Sequence, residues 1–170
     1  QPIAYGGGQE RRLRSGTLSA PLLAAFAAAL DQTVTTRDAE AARLRALSDR
    51  LVTGLAALDG VTVVGPLDPA LRSPHIVNAL FHGCLGEDLL LLLDAAGIAC
   101  STGAACTAGV LQPSHVLIAL GYPAAREARW GLRFSFGPGS ADGDVDAVLA
   151  ALPGAIAAAR ASARAAGEWD

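Results

Sequence analysis

Cys106 is the residue of this 170-residue chain best placed for chemistry, standing in Ser101-Thr102-Gly103-Ala104-Ala105-Cys106 ahead of Thr107-Ala108-Gly109-Val110-Leu111-Gln112-Pro113-Ser114-His115. Small residues on both sides give a thiol little steric cover and a backbone free to move. A thiol attacks only as thiolate, and its free pKa of about 8.5 is lowered by neighbouring cations or helix N-termini. Extended, ten residues reach roughly 30 Å, so 101–114 is long enough to carry a sulfur between two places. The bland alternative is a small buried hydrophobe in a tight turn, and the pattern alone leaves both open. Cys100 ends an apolar run and reads as packing, while Cys84 in His82-Gly83-Cys84 reads as incidental. A zinc site from these thiols and a histidine lacks any Cys-x-x-Cys pair.

Arg133 is the second candidate. It sits inside Trp130-Gly131-Leu132-Arg133-Phe134-Ser135-Phe136, where a guanidinium among apolar neighbours is costly unless an anion partners it. Its planar fork matches a carboxylate through two parallel hydrogen bonds. An internal ion pair with an aspartate or glutamate of the same fold is the competing reading. A third cluster, Arg14-Ser15-Gly16-Thr17, combines a cation, hydroxyls and backbone N–H groups just before a helix, a combination able to hold a phosphate. No Walker spacing follows it, and Gly6-Gly7-Gly8 equally suits a flexible crossing. His75 and His115 read as capping or packing residues. All 13 basic residues are arginines, so any chemistry that needs a lysine amine must obtain it elsewhere.

These groups need elements to position them. The segment Gly6 to Thr17 reads as an extended polar loop. Pro21 marks a helix start, with Leu22 to Leu30 as a first helix. Thr36 to Leu58 forms a second, because Leu44, Leu47, Leu51, Leu55 and Leu58 make one apolar stripe at three- and four-residue steps. Strands are expected at Val61 to Val64, Ile76 to Phe81, Ile98 to Cys100 and Trp130 to Phe136. Further helices are expected at Gly86 to Ala96, with five consecutive leucines too apolar to face solvent, at Ser114 to Leu120 with Ser114 as cap, and at Asp142 to Ala166, bent near Pro153-Gly154. This order predicts an α/β sandwich: a small mixed or antiparallel sheet covered by helices.

The totals narrow the function classes. Hydrophobic residues make up 52% of the chain, enough for a real core. A net charge of -3 argues against a nucleic-acid or anionic-membrane surface. No apolar run reaches the roughly 18 residues of a membrane span. Three cysteines without framework spacing predict a reduced, cytoplasmic setting. With no methionine at all, the sequence is expected to be a processed or excised piece.

Taken in order, several stretches resemble the C-terminal part of the cysteine desulfurases, pyridoxal-phosphate enzymes of the class V aminotransferase group. They are Gly6 to Glu10 with Arg14 to Thr17, Ser73-Pro74-His75-Ile76-Val77-Asn78, and Gly86-Glu87 opening a leucine-rich helix. Then follow Ser101 to Cys106, Leu111 to His115, and Leu132 to Gly137. The resemblance runs to about residue 150, and the cysteine loop is its most specific part. Ala104, Gln112 and Pro138-Gly139 depart from the family pattern.

The resemblance implies a fold-type I small domain at 21–170, with 1–20 connecting to a large cofactor-binding domain. It implies that Cys106 takes sulfur from L-cysteine as a persulfide, leaving L-alanine; that Arg133 holds the substrate carboxylate; and that Thr17 reaches a neighbouring subunit's cofactor phosphate in a homodimer. The long cysteine loop resembles that of the branch serving iron–sulfur scaffolds or other sulfur acceptors. The Schiff-base lysine of the family has no counterpart here, so this chain alone is expected to be inactive. Two other readings stay open: another class V aminotransferase or lyase that keeps a cysteine, and a non-catalytic module that dimerises or accepts sulfur.

Overall fold

The computed structural model describes residues 1–102, 114–122 and 129–167. The chain divides into two compact units, Gln1–Ala39 and Glu40–Asp170. In the first, residues before the helix are not extended as expected. Gln9–Arg12 forms a 3₁₀ turn with left-handed backbone at Glu10, Arg11 and Arg12, and Ser15 Oγ donates to the Gly7 carbonyl at 3.0 Å. That bond folds the glycine run back on itself.

Helix α1 spans Ala20–Ala56 and replaces the two helices expected from the sequence. Residues 31–35 contain no glycine or proline to break it, and their β-branched threonines are satisfied within the helix. Thr33 and Thr35 donate to the carbonyls of Ala29 and Asp31 at 2.7 and 2.8 Å, the backbonding that lets such residues sit mid-helix. In the second unit the predicted leucine stripe is realised: Leu44, Leu47, Leu51 and Leu55 are buried and Leu58 packs at their edge. Burying such a side chain is worth about 1.5–3 kcal/mol.

Three strands follow, β1 (Val61–Val63), β2 (Ile76–Phe81) and β3 (Gly131–Ser135), in an antiparallel sheet of order β1-β2-β3. The sheet is therefore antiparallel, the second of the two forms anticipated. Ile98 to Cys100 does not extend it. Gly97, with φ +78°, closes helix α2 (Gly86–Ala95), and its N–H and that of Ile98 bond back to Asp94 and Leu93. Ser101 reaches the sheet, exchanging backbone hydrogen bonds of 3.1 and 2.7 Å with Arg133.

Strand alternation separates two faces. Val77, Ala79 and Phe81 of β2 and Leu132 and Phe134 of β3 point into the main core with α1, α2 and α4 (Asp142–Ala165). Pro153 lies inside α4 without ending it. Of the five leucines of α2, Leu89 and Leu93 are fully buried, whereas Leu91 is 65% exposed, contrary to the expectation that this helix avoids solvent. Helical geometry allows one run only a partial stripe.

The opposite sheet face carries Asn78, Leu80, Gly131 and Arg133. There Leu80 packs with Leu117 of the short helix α3 (His115–Ala119). Ser114 caps α3 as expected, its hydroxyl accepting from the Leu117 N–H. Arg43 of α1 braces the turn after β3, donating to the carbonyls of Gly137 and Ser140.

Candidate functional site

Arg133 occupies the centre of β3, directly across from Asn78 of β2 in the sheet register. Opposed residues of an antiparallel pair share a face, with Cβ atoms about 4.5–5.5 Å apart. Both line a cavity of about 360 Å³ between the sheet, α3 and the loop before β2, together with Arg72, Val64, His115 and Leu117. The Arg133 Nε–H is buried without a hydrogen-bond partner, and so is Oδ1 of Asn78. Among the described residues no carboxylate pairs with Arg133, so the internal ion pair that competed for this residue is not formed there.

Arg72 adds a second guanidinium to the same cavity. Its side chain is only 8% exposed; Nη2 pairs with Asp49 of α1, while Nε and Nη1 are buried and unpartnered. Buried polar atoms nearly always find partners. Three residues lining one cavity carry such atoms unpartnered, and its two guanidiniums suit a polar, anionic group. The sequence reading passed over Arg72 and gave Asn78 no role. A polar residue in the middle of the otherwise apolar run Ile76-Val77-Asn78-Ala79-Leu80-Phe81 was the available signal.

The other expected residues fare differently. Cys106 lies outside the described residues. Thr17 is exposed in the unit Gln1–Ala39, beside Gly16 with φ +119°. The groups around it are already engaged: Arg14 donates to the Ser15 carbonyl, and the Gly16 N–H to Gln9 Oε1 at 3.4 Å. In this arrangement these two groups bond within the loop itself. His75 bonds Ser73 Oγ through Nδ1 at 2.8 Å, a local turn contact. Cys84 is fully buried near the Ile156 carbonyl, and burial pushes its thiol up despite the nearby Arg160. Burial, with Asp94 beside it, likewise raises Cys100. Neither is poised as a nucleophile.

The fold is a small antiparallel sheet backed by helices, and comparison with known proteins gives the class. Residues 4–148 match the aminotransferase class-V family, and the chain belongs to it. More particularly, it is 52% identical over 156 residues to the IscS-like cysteine desulfurase of Mycobacterium tuberculosis, covering 91% of this chain and 39% of that protein. It is 42% identical to cysteine desulfurase IscS 1 of Archaeoglobus fulgidus, covering 92% of this chain and 40% of the relative.

Among solved structures, a NifS-like protein superposes with a TM-score of 0.77 at 30% identity, covering 92% of this chain and 39% of that one. DndA from Streptomyces lividans superposes with a TM-score of 0.60 at 35% identity, covering 82% and 37%. The chain spans about two fifths of the length of the curated relatives it matches.

Class V enzymes use pyridoxal phosphate, whose aldehyde is held by an amine. This chain has no lysine to provide one. Among its described residues, Arg133 presents a guanidinium of the geometry that pairs with a carboxylate. The described residues of one chain do not by themselves enclose the cofactor.

Proposed function

We propose that this chain is the C-terminal, small-domain portion of a cysteine desulfurase that releases L-alanine from L-cysteine and passes the sulfur on. The observation that carries the reading is the half-buried guanidinium of Arg133, unpartnered at Nε and opening on a cavity. It occurs in a chain half identical to a protein named as a desulfurase. In this reading Arg133 takes the carboxylate of L-cysteine and fixes which end of the substrate faces the reacting centre.

Cys106 accepts the sulfur. A bond forms between its Sγ and the substrate sulfur, and the bond from that sulfur to the substrate β-carbon breaks. The electron pair stays on carbon, which takes up a proton to become the methyl group of alanine. The carbon is reduced, and Cys106 is oxidised to the persulfide. When bound, pyridoxal phosphate supplies the electron sink for this chemistry. Its anchoring lysine belongs to sequence outside these 170 residues, so this chain alone does not turn over.

Thr17 is assigned to the phosphate of a neighbouring subunit's cofactor, which makes the working unit a homodimer. The persulfide is destined for an iron–sulfur scaffold or another sulfur-acceptor protein in the cytoplasm.

The test uses the full-length parent enzyme treated with L-cysteine, with persulfides trapped by alkylation and located by mass spectrometry. Alanine as product and a trapped sulfur on Cys106 support the proposal. Normal turnover with persulfide still formed in Cys106→Ala overturns it, as does a keto acid as the amino-acid product.

A further inference from the structure

Asn78 and Arg133 present a matched pair of unmet needs. Arg133 Nε–H is a buried donor without an acceptor, and Asn78 Oδ1 is a buried acceptor without a donor. The two residues are register partners on one sheet face, and both line the cavity. The asparagine amide lies over Gly131, where a Cβ would stand 3.7 Å from Oδ1.

We propose that Asn78 is the positioning residue for Arg133: when a carboxylate enters, Nε–H donates to Asn78 Oδ1, and the guanidinium is held with Nη1 and Nη2 directed at the ligand. One hydrogen bond satisfies two buried orphan atoms. It also removes the rotational freedom of a long side chain, which otherwise opposes a two-point contact. A guanidinium bound through Nε keeps both terminal nitrogens for a fork-to-fork pair with a carboxylate. The inference rests on Arg133 being the carboxylate site.

Its test is the KM for L-cysteine in the full-length parent enzyme, set against the inhibition constant of cysteamine, which keeps the thiol and amine but has no carboxylate. Asn78→Ala is expected to raise the KM about tenfold while cysteamine inhibition stays within about twofold, the size of one hydrogen bond to a charged group. In an Arg133→Ala background the same substitution is expected to have no further effect on KM. Should Asn78→Ala be insoluble, the nearly isosteric Asn78→Leu, which fills the space but has no acceptor, supplies the same contrast.

Equal weakening of L-cysteine and cysteamine, or an undiminished Asn78 effect without Arg133, overturns the proposal. If Arg133→Ala raises the KM and neither Asn78 variant does, Asn78 has no positioning role and the carboxylate site stands. If Arg133→Ala leaves the KM unchanged, the carboxylate site and this inference fall together.

Discussion

Arg160 of α4 reaches back to the turn that precedes β1, where its Nη2 donates to the Asp59 carbonyl at 2.9 Å. Its Nε donates to the His82 carbonyl at 3.0 Å, so one side chain ties the start of β1 to the end of β2 where Val61 faces Phe81. Gly60 makes this possible. Its φ is +66°, and a Cβ there would lie 2.2 Å from Arg160 Nη2. Gly60→Ala therefore meets both left-handed strain and a collision, and is expected to destabilise the chain by about 2 kcal/mol in urea unfolding. In an Arg160→Met background the collision is relieved and the penalty should shrink to about 1 kcal/mol.

Asp49 and Arg72 predict an asymmetric pair of substitutions. Arg72 is almost wholly covered, whereas Asp49 is 40% exposed. Asp49→Ala leaves a guanidinium covered with no counter-charge and should cost about 1–3 kcal/mol of stability by chemical denaturation. Arg72→Met removes the charge and keeps the aliphatic bulk, so it is expected to be the milder change. It should also weaken binding of anions to the cavity, read as a higher KM for L-cysteine in the full-length enzyme.

For Arg133 the informative substitution is Arg133→Lys. An ammonium preserves the charge but loses the planar fork and the Nε donor. The full-length enzyme should then show a KM for L-cysteine raised by about ten- to a hundredfold, the range expected on losing one of two charge-assisted hydrogen bonds. An unchanged KM would remove the carboxylate role from this residue.

The covered thiols make a pH prediction. Burial raises Cys84 and Cys100 above the ordinary thiol value. At any given pH they hold less thiolate than the same residues in an unfolded chain. Alkylation by iodoacetamide, followed residue by residue, should be slow at pH 8 and should accelerate only above the usual thiol range. The linkage sign follows: the folded chain retains these protons longer, so their contribution to stability is complete below about pH 8 and declines as pH rises further. Midpoints of urea unfolding at pH 7.5 and 9.5 should fall in that order.

Much of this architecture is legible in the residues. The leucine stripe from Leu44 to Leu58, the strand at Ile76 to Phe81 and the Ser114 cap are local patterns, and local patterns suffice for them. What escaped was decided by contacts across the chain. The length of α1 depended on threonines satisfying their own hydroxyls in a helix, against their intrinsic preference. The cavity formed because β2 pairs with β3 in a register that sets Asn78 opposite Arg133, and no spacing within either strand reveals that register. Nothing in the sequence marks Arg72, which its pairing with Asp49 of α1 sets beside the cavity. Cys106, the residue that stood out first by composition, rests on sequence and likeness alone.

Helix α1 carries a last consequence. Its C-terminal half is dry, with Leu51 and Leu55 at 1% and 0% exposure, whereas Leu22 and Phe26 in its N-terminal half are 71% and 68% exposed. Hydrogen bonding along the rod is continuous, but the anchoring against unwinding is concentrated at one end. Deuterium should therefore invade the backbone amides of the N-terminal turns well before those beyond Leu44. Warming should unravel the rod directionally, in a wave that halts where the leucines meet the sheet.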